Sequence, residues 1–358
     1  LLSARSTTLY VNGRFLTQPL SGVQRFATEI TAALQRRDPG RVVVLGPACG
    51  ADAAASFRPV GRRRGQAWEQ LDLPTHAADG VLINLGNTAP LRLRSQIVVI
   101  HDAGVFATPE AYSWRFRQWY KFAQKRLLRR GACVITVSQF GRGELVRWLG
   151  AAASDIAVIP EGADHMNDIR ADYAVLDRLP EGRFVLVVGN LAAHKNLGAL
   201  CELAQRLAAR NVTLVITGAL APGAFRESAA RALPQPAQYI GRVSDAALKA
   251  LYEQAACLVF PSRYEGFGLP AVEAMACGCP VIASRIPGLQ ETCGTAAHFF
   301  DPANPADIAD QVCLVLDSAA RAAELRAAAR ARSRDFTWAR AAALLADIAD
   351  RYAARTEH

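Results

Sequence analysis

Two glutamates, Glu265 and Glu273, stand with seven residues between them, and Gly266, Phe267, Gly268, Leu269 and Pro270 lie inside that interval. Paired carboxylates accept hydrogen bonds and can serve as acid, base or charge support. The flanking pattern places them. Ala256-Cys257-Leu258-Val259-Phe260 reads as a short buried strand, and the run after Pro270 as an apolar helix. Gly278-Cys279-Pro280 stops that helix, and Val281-Ile282-Ala283 reads as the next strand. Glu265 is therefore expected on a loop at a strand's carboxyl end and Glu273 within the following helix. In open α/β sheets, ligands bind in the crevice at that end. Taken alone, the pair fits a loop acid and a surface helix acid equally well.

Three other stretches could carry chemistry. His101-Asp102 directly follows the strand-like Gln96-Ile97-Val98-Val99-Ile100. Catalytic side chains gather at such strand ends, although a simple polar cap also fits. Ser21-Gly22-Val23-Gln24-Arg25 opens a helix. A glycine there lets a ligand approach the backbone, and free N–H groups suit a phosphate. A plain Ser/Gly cap explains the same residues. Finally, residues 114–130 carry Arg115, Arg117, Lys121, Lys125, Arg126, Arg129 and Arg130 and no acid. Tyr112, Phe116, Trp119, Tyr120, Ala123 and Leu127 recur there at helical spacing as an apolar stripe. The cations could be solubility charges, or a contact with anionic lipid or lipid-linked phosphate. Gly61-Arg62-Arg63-Arg64-Gly65 reads as a solvated basic loop.

The elements that must position these residues alternate. Strand-like runs at 8–11, 41–45, 81–83, 96–100, 132–137 and 155–159 are separated by helical or loop stretches. A polar, non-periodic segment at 161–182 follows and is expected to hold an interdomain connection. The alternation then restarts with Phe184-Val185-Leu186-Val187-Val188, a strand at 212–216, and helices from 305 to about 334 and from Thr337 onward. Strands alternating with helices twice over imply two doubly wound parallel α/β domains, and 358 residues suit two of ordinary size. No apolar run approaches the roughly 18 residues of a membrane span. Arg5 near the start is not followed by an apolar core with a cleavage site, so no signal peptide is expected and the chain reads as cytoplasmic. The eight cysteines form no C-x-x-C pair, and Cys277 and Cys279 are too close for a relaxed zinc clip, so they read as buried reduced thiols. A net charge of +9 calls for an anionic partner: nucleotide, phosphate, membrane surface or nucleic acid.

In order and spacing, these residues resemble family 4 of the retaining glycosyltransferases, over nearly the whole chain. Glu265-x7-Glu273 with Gly-Phe-Gly-Leu-Pro inside is similar to the family's E-x7-E signature. Gly22 resembles its N-terminal glycine-rich loop, His101-Asp102 its strand-end pair, and Gly189 to Asn196 its phosphate segment. Gly288 to Glu291 resembles its downstream loop, with Asp301-Pro302 as the usual follow-on. The resemblance implies the GT-B fold, two Rossmann-like domains facing across a cleft. Residues 1–165 would bind the acceptor and 166–336 the nucleotide sugar, with a helix at 337–358 packing back on the first domain.

The same resemblance implies roles. Lys195 would bind the donor diphosphate, with backbone N–H groups near Gly22 and Gly288 to Gln290, and with Arg263 as a further cation. Asn190 stands where the family commonly has arginine. Glu265 would face the donor sugar and support charge near the reacting carbon. Glu273 would accept from the ribose diol. His101 would reach the donor sugar, and Asp102 would orient it or assist the acceptor. Arg242 and Val243 lie where the base pocket usually forms. Gly266, Phe267, Gly268, Leu269, Gly288 and Leu289 would line the donor site. No metal or other cofactor is expected. Transfer would proceed with retention through an oxocarbenium-like state, the leaving diphosphate taking the acceptor proton, in a site closed to water. Lys195-Asn196-Leu197 is similar to bacterial polysaccharide mannosyltransferases, so GDP-mannose is the expected donor, with rhamnosyl or glucosyl transfer open. The expected acceptor is a glycan or lipid-linked glycan of cell-surface polysaccharide or lipopolysaccharide synthesis, at the inner face of the membrane with peripheral anionic-lipid contact. A nucleotide-sugar 2-epimerase shares the architecture but would not carry this E-x7-E. A basic nucleic-acid-binding protein would explain the charge, but the one basic aromatic stretch has an internal packing stripe, so no nucleic acid is expected.

Overall fold

The computed structural model describes residues 7–48, 57–219 and 233–356; Arg5 and Cys49 lie outside them. Two parallel sheets organise the chain. The first contains β1 (Leu9–Asn12), β2 (Val42–Gly46), β3 (Phe57–Pro59), β4 (Val81–Asn84), β5 (Gln96–Val99), β6 (Cys133–Thr136) and β7 (Ile156–Val158), in the order β3-β2-β1-β4-β5-β6-β7. The second contains β8 (Arg183–Val188), β9 (Val212–Thr217), β10 (Gln238–Tyr239), β11 (Cys257–Phe260), β12 (Val281–Ser284) and β13 (Ala297–Phe300), in the order β10-β9-β8-β11-β12-β13. Their runs of Val, Ile and Leu are buried almost without interruption, as parallel strands covered on both faces require. The edge strands β3 and β10 are short and poor in aliphatic residues, so periodicity did not reveal them.

The helices are α1 (Gly22–Arg37), α2 (Gly65–Ala67), α3 (Gly104–Ala107), α4 (Trp114–Arg129), α5 (Gln139–Leu149), α6 (His165–Asp168), α7 (Cys201–Ala208), α8 (Asp245–Gln254), α9 (Leu269–Ala276), α10 (Pro287–Cys293), α11 (Pro305–Leu316), α12 (Ala319–Ser333) and α13 (Trp338–Thr356). None is long and apolar enough to cross a membrane among the described residues.

The chain divides into two compact units. The first comprises Leu1–Ala103, Gln118–Gly162 and Trp338–His358; the second comprises Gly104–Arg117 and Ala163–Thr337. This differs from a boundary at 165, because the stretch after His101-Asp102 groups with the second unit, where Pro109–Ala111 packs beside Ala193–Lys195. Within the first unit α13 packs on α1. Trp338 meets Phe26 at 5.8 Å between ring centroids, and the Tyr352 hydroxyl donates to the Arg94 carbonyl at 3.0 Å. Within the second unit, apolar clusters cover both faces of the sheet: Leu186, Leu258, Met275 and Leu289 on one, Val187, Leu203, Val259 and Ile308 on the other.

Candidate functional site

Each sheet reverses its strand order once, between β1 and β4 in the first and between β8 and β11 in the second. At such a switch point, neighbouring connections leave in opposite directions and open a crevice at the carboxyl ends of the strands. In the second unit, the two segments leaving that point carry the predicted residues. After β8 come Gly189 to Asn196; after β11 come Pro261 to Gly268.

These two segments are laced together. The Arg263 N–H donates to the His194 carbonyl at 2.8 Å, and Asn196 Nδ2 donates to the carbonyls of Pro261 (3.2 Å) and Pro302 (2.9 Å). Asn196 does this from a left-handed conformation (φ 56°), which asparagine tolerates better than most residues. The lacing brings Lys195 Nζ to 2.6 Å from Glu265 Oε1 and 5.3 Å from the Phe260 ring centroid. Burial would push the Glu265 carboxyl up, but chiefly the charge and hydrogen bond of Lys195 outweigh it and hold its pKa below the ordinary value. Glu265 is thus an anion at neutral pH. His194 is the opposite case: burial, reinforced by the Lys195 charge, lowers its pKa to about 4, so the ring is neutral. Among the described residues, His194 Nδ1, Asn190 Oδ1 and Ser262 Oγ are buried with no hydrogen-bond partner. Orphaned polar atoms beside an ion pair at a switch point call for a polar ligand. His194 was not singled out in the sequence; its place beside Lys195 was the available signal.

Gly268 lets the chain turn from Glu265 into α9. Its φ is +92°, and a Cβ there would lie 2.4 Å from the Leu289 side chain. Four residues past the first position of α9, Glu273 is buried, not at the surface. Its Oε2 accepts from the Tyr252 hydroxyl at 3.2 Å, and its Oε1 lies 3.3 Å from His165 Nε2. Burial first, then the Glu273 charge, raises the Tyr252 pKa well above its ordinary value, so Tyr252 stays a donor. Neither partner was apparent in the sequence.

The other predicted residues of this unit scatter around that core. Arg242 is exposed and Val243 half-buried in the turn after β10, and Arg263 is exposed. Gly266, Phe267 and Leu269 are buried. Gly288 and Leu289, expected on a loop, lie instead inside α10, because Pro287 starts a helix there and Leu289 packs into the core beside Gly268.

Gly22, His101 and Asp102 belong to the first unit. Gly22 opens α1 with no atom near its Cβ position, and Ser21 bonds the Gln24 side chain instead of capping the backbone. His101 is 5% exposed, with Phe26 edge-on at 4.8 Å. Its Nδ1 lies 3.2 Å from Glu161 Oε1 and its Nε2 2.9 Å from the Leu85 carbonyl oxygen. Only the doubly protonated ring donates to both. Burial opposes that charge, but the hydrogen bond and charge of Glu161, aided by the Leu85 carbonyl and half-buried Asp102, raise the pKa above the usual value. Glu161 was read only as the start of a polar connector.

At the first sheet's switch point lies a closed polar cluster. Arg14 Nε is 3.0 Å from Glu69 Oε2, Arg14 Nη2 donates to Thr88 Oγ1 at 3.0 Å, and Asn12 Nδ2 donates to Glu69 Oε2 (3.1 Å) and Asn84 Oδ1 (2.9 Å). All of these side chains are buried. Tyr120 lies beside Arg14 and Glu69, and Leu16, Leu71 and Phe122, each two residues further along the chain from one of these three, are exposed. The apolar stripe of α4 is partly buried: Ala123 and Leu127 are buried, and Phe116, Trp119 and Tyr120 half-buried.

Comparison with known proteins gives the site its context. A family model described as "Glycosyltransferase Family 4" matches residues 20–166, and one described as "Glycosyl transferases group 1" matches residues 169–332. The chain is 28% identical over 293 residues to O-antigen chain mannosyltransferase B of Escherichia coli, covering 77% of this chain and 74% of that protein. It is 29% identical over 278 residues to the serotype-specific mannosyltransferase WbdA of Escherichia coli, covering 70% of this chain but only 33% of that protein. Sucrose-phosphate synthase of Thermosynechococcus elongatus superposes with a TM-score of 0.77 at 20% identity, covering 98% of this chain and 100% of that one. Anabaena HepE in complex with UDP and glucose superposes with a TM-score of 0.71 at 18% identity, covering 96% and 99%. These likenesses identify the architecture as GT-B.

Proposed function

We propose that this chain, which belongs to glycosyltransferase family 4, transfers a mannosyl residue from GDP-mannose to a glycan or lipid-linked acceptor in cell-surface polysaccharide synthesis, with retention and without a metal. The observation that carries the site assignment is the Lys195–Glu265 pair at the second sheet's switch point, with Asn190 Oδ1 and His194 Nδ1 beside it and without a partner among the described residues. Mannose is favoured by the names of the relatives in Escherichia coli.

Lys195 is the cation for the donor diphosphate. Once a diphosphate competes for its three donors, Glu265 is released from a single partner and can accept from sugar hydroxyls. The Lys195 ammonium then stabilises the charge that develops on the leaving diphosphate, and Glu265, held anionic, supports positive charge at the reacting carbon. The neutral His194 ring adds a donor or acceptor without a second charge. Glu273 keeps a free lone pair on each oxygen after Tyr252 and His165 are counted, and these are assigned to the ribose diol. Arg242 and Val243 are assigned to the base.

We assign acceptor binding to the first unit. A peripheral contact with anionic membrane is supported by the exposed Phe122 among the cations of α4, with Leu16 and Leu71 exposed in the same unit. Flotation with vesicles containing an anionic lipid should carry the protein at low salt, and Phe122→Ser with Leu71→Ser should reduce it; no flotation of the unaltered chain would end this assignment.

Thermal-shift measurements against GDP-, UDP-, dTDP- and ADP-sugars test the donor. GDP-mannose should stabilise the protein most; stabilisation by UDP-sugars alone would overturn the choice. The anomeric configuration of the product, read by NMR, tests retention, and activity that survives a chelator tests metal independence.

A further inference from the structure

We propose that His165 is a positioning residue for Glu273, fixed by the segment that follows the Gly162–Ala163 crossing into the second unit, and that it sets how tightly the enzyme holds the ribose of its donor. The proposal rests on the assignment of Glu273 to the ribose.

After the short excursion Gly104–Arg117, the chain passes again from the first unit to the second between Gly162 and Ala163, and returns between Thr337 and Trp338. Inside the second unit both crossing segments are bound to the signature. On the entering side, His165 follows two residues after the crossing and its Nε2 lies 3.3 Å from Glu273 Oε1. On the returning side, the Phe336 ring meets Phe267 edge-on, 5.4 Å between centroids, and Phe267 stands two residues past Glu265. The crossing segments are also joined to each other: the Ala163 N–H donates to the Phe336 carbonyl at 3.0 Å.

The entering segment is not a free linker. Lys249 Nζ donates to the carbonyls of Met166 (2.8 Å) and Ile169 (2.7 Å), and the Asp172 N–H donates to the Ala246 carbonyl at 3.0 Å. Both Lys249 and Ala246 lie on α8, which also supplies Tyr252, the other partner of Glu273. A carboxylate free to turn about its last bond would spread its lone pairs over many directions. Held on one oxygen by the Tyr252 hydroxyl and confined on the other by the His165 ring at 3.3 Å, it presents the remaining lone pairs along a narrow range of directions, as recognition of a vicinal diol requires. His165 and Glu273 are each 8% exposed or less, so water competes poorly for this contact.

The test compares GDP with 2′-deoxy-GDP, and UDP with 2′-deoxy-UDP, by calorimetry on the full chain. The unaltered protein should prefer the ribonucleotide by about tenfold or more, the size of one hydrogen bond to a charged group. His165→Ala should bring ribonucleotide affinity down to the deoxynucleotide level and leave deoxynucleotide affinity within about twofold. His165→Asn, which keeps a donor, should restore part of the preference. Tyr252→Phe, which keeps the ring, should reduce it in the same way if His165→Ala does not fold. A merely structural role for His165 would lower affinity for both nucleotides equally and overturn the proposal, as would a variant that keeps the full preference. If the unaltered protein binds both forms equally, the ribose assignment of Glu273 fails first, and the positioning role falls with it.

Discussion

The two switch points share one topology and differ in how their polar groups are satisfied. At the first sheet, Asn12, Arg14, Glu69, Asn84 and Thr88 bond one another, and none of them is left with an orphaned polar atom. At the second, Lys195 and Glu265 form a pair beside buried polar atoms of Asn190, His194 and Ser262 that have no partner among the described residues. Position in the fold opens a crevice at both places, but polar satisfaction decides its use. A network closed on itself fixes structure, whereas an open one waits for a ligand.

If the first cluster is structural, breaking it should cost stability and little else. Glu69→Ala leaves Arg14 buried without its counter-charge, and such a loss typically costs about 3–5 kcal/mol. Chemical denaturation should show it, while nucleotide affinity of the folded fraction stays unchanged; a fall in affinity without loss of stability would break the contrast. The second cluster should behave in reverse. Lys195→Ala and Glu265→Ala should each lower turnover by roughly 10²–10³ with little change in melting temperature. Near-normal turnover in either would falsify its assigned role.

Asn196→Ala tests the lacing rather than the chemistry. It removes two hydrogen bonds and places alanine at positive φ, so a loss of about 2 kcal/mol is expected, with a matching fall in nucleotide affinity. The smallest effect is also the most discriminating, because the histidines of the two regions should give opposite pH slopes. His101 has a raised folded pKa, so its stabilisation is complete below the unfolded value near 6.5 and is lost as pH rises through the folded value. His194 has a folded pKa lowered to about 4, so the unfolded state binds the extra proton between about 4 and 6.5, and stability falls as pH drops through that window. Melting temperature against pH should flatten on the alkaline side in His101→Gln and on the acid side in His194→Gln.

Much of this was legible because the governing interactions are local. The central strands announce themselves by continuous aliphatic runs, and Gly268, Pro270 and Gly278 punctuate α9 on either side of Glu273. Edge strand β10, with two residues and no aliphatic run, offered no such pattern. The helical placement of Gly288 and Leu289 was missed because a Pro-Gly pair reads as a turn, while tertiary packing of Leu289 draws the segment into a helix.

By itself, then, the sequence determined the two-sheet alternation, the strand-end placement of His101 and Glu265, and the likeness to its family, since each depends on residue type and short spacing. Only the tertiary structure decided which charges meet. Glu161 under His101, Glu69 against Arg14, and His165 with Tyr252 around Glu273 join residues far apart in the chain. No local pattern encodes such pairs; burial makes them obligatory, because a charge taken from water must find its partner wherever packing brings one.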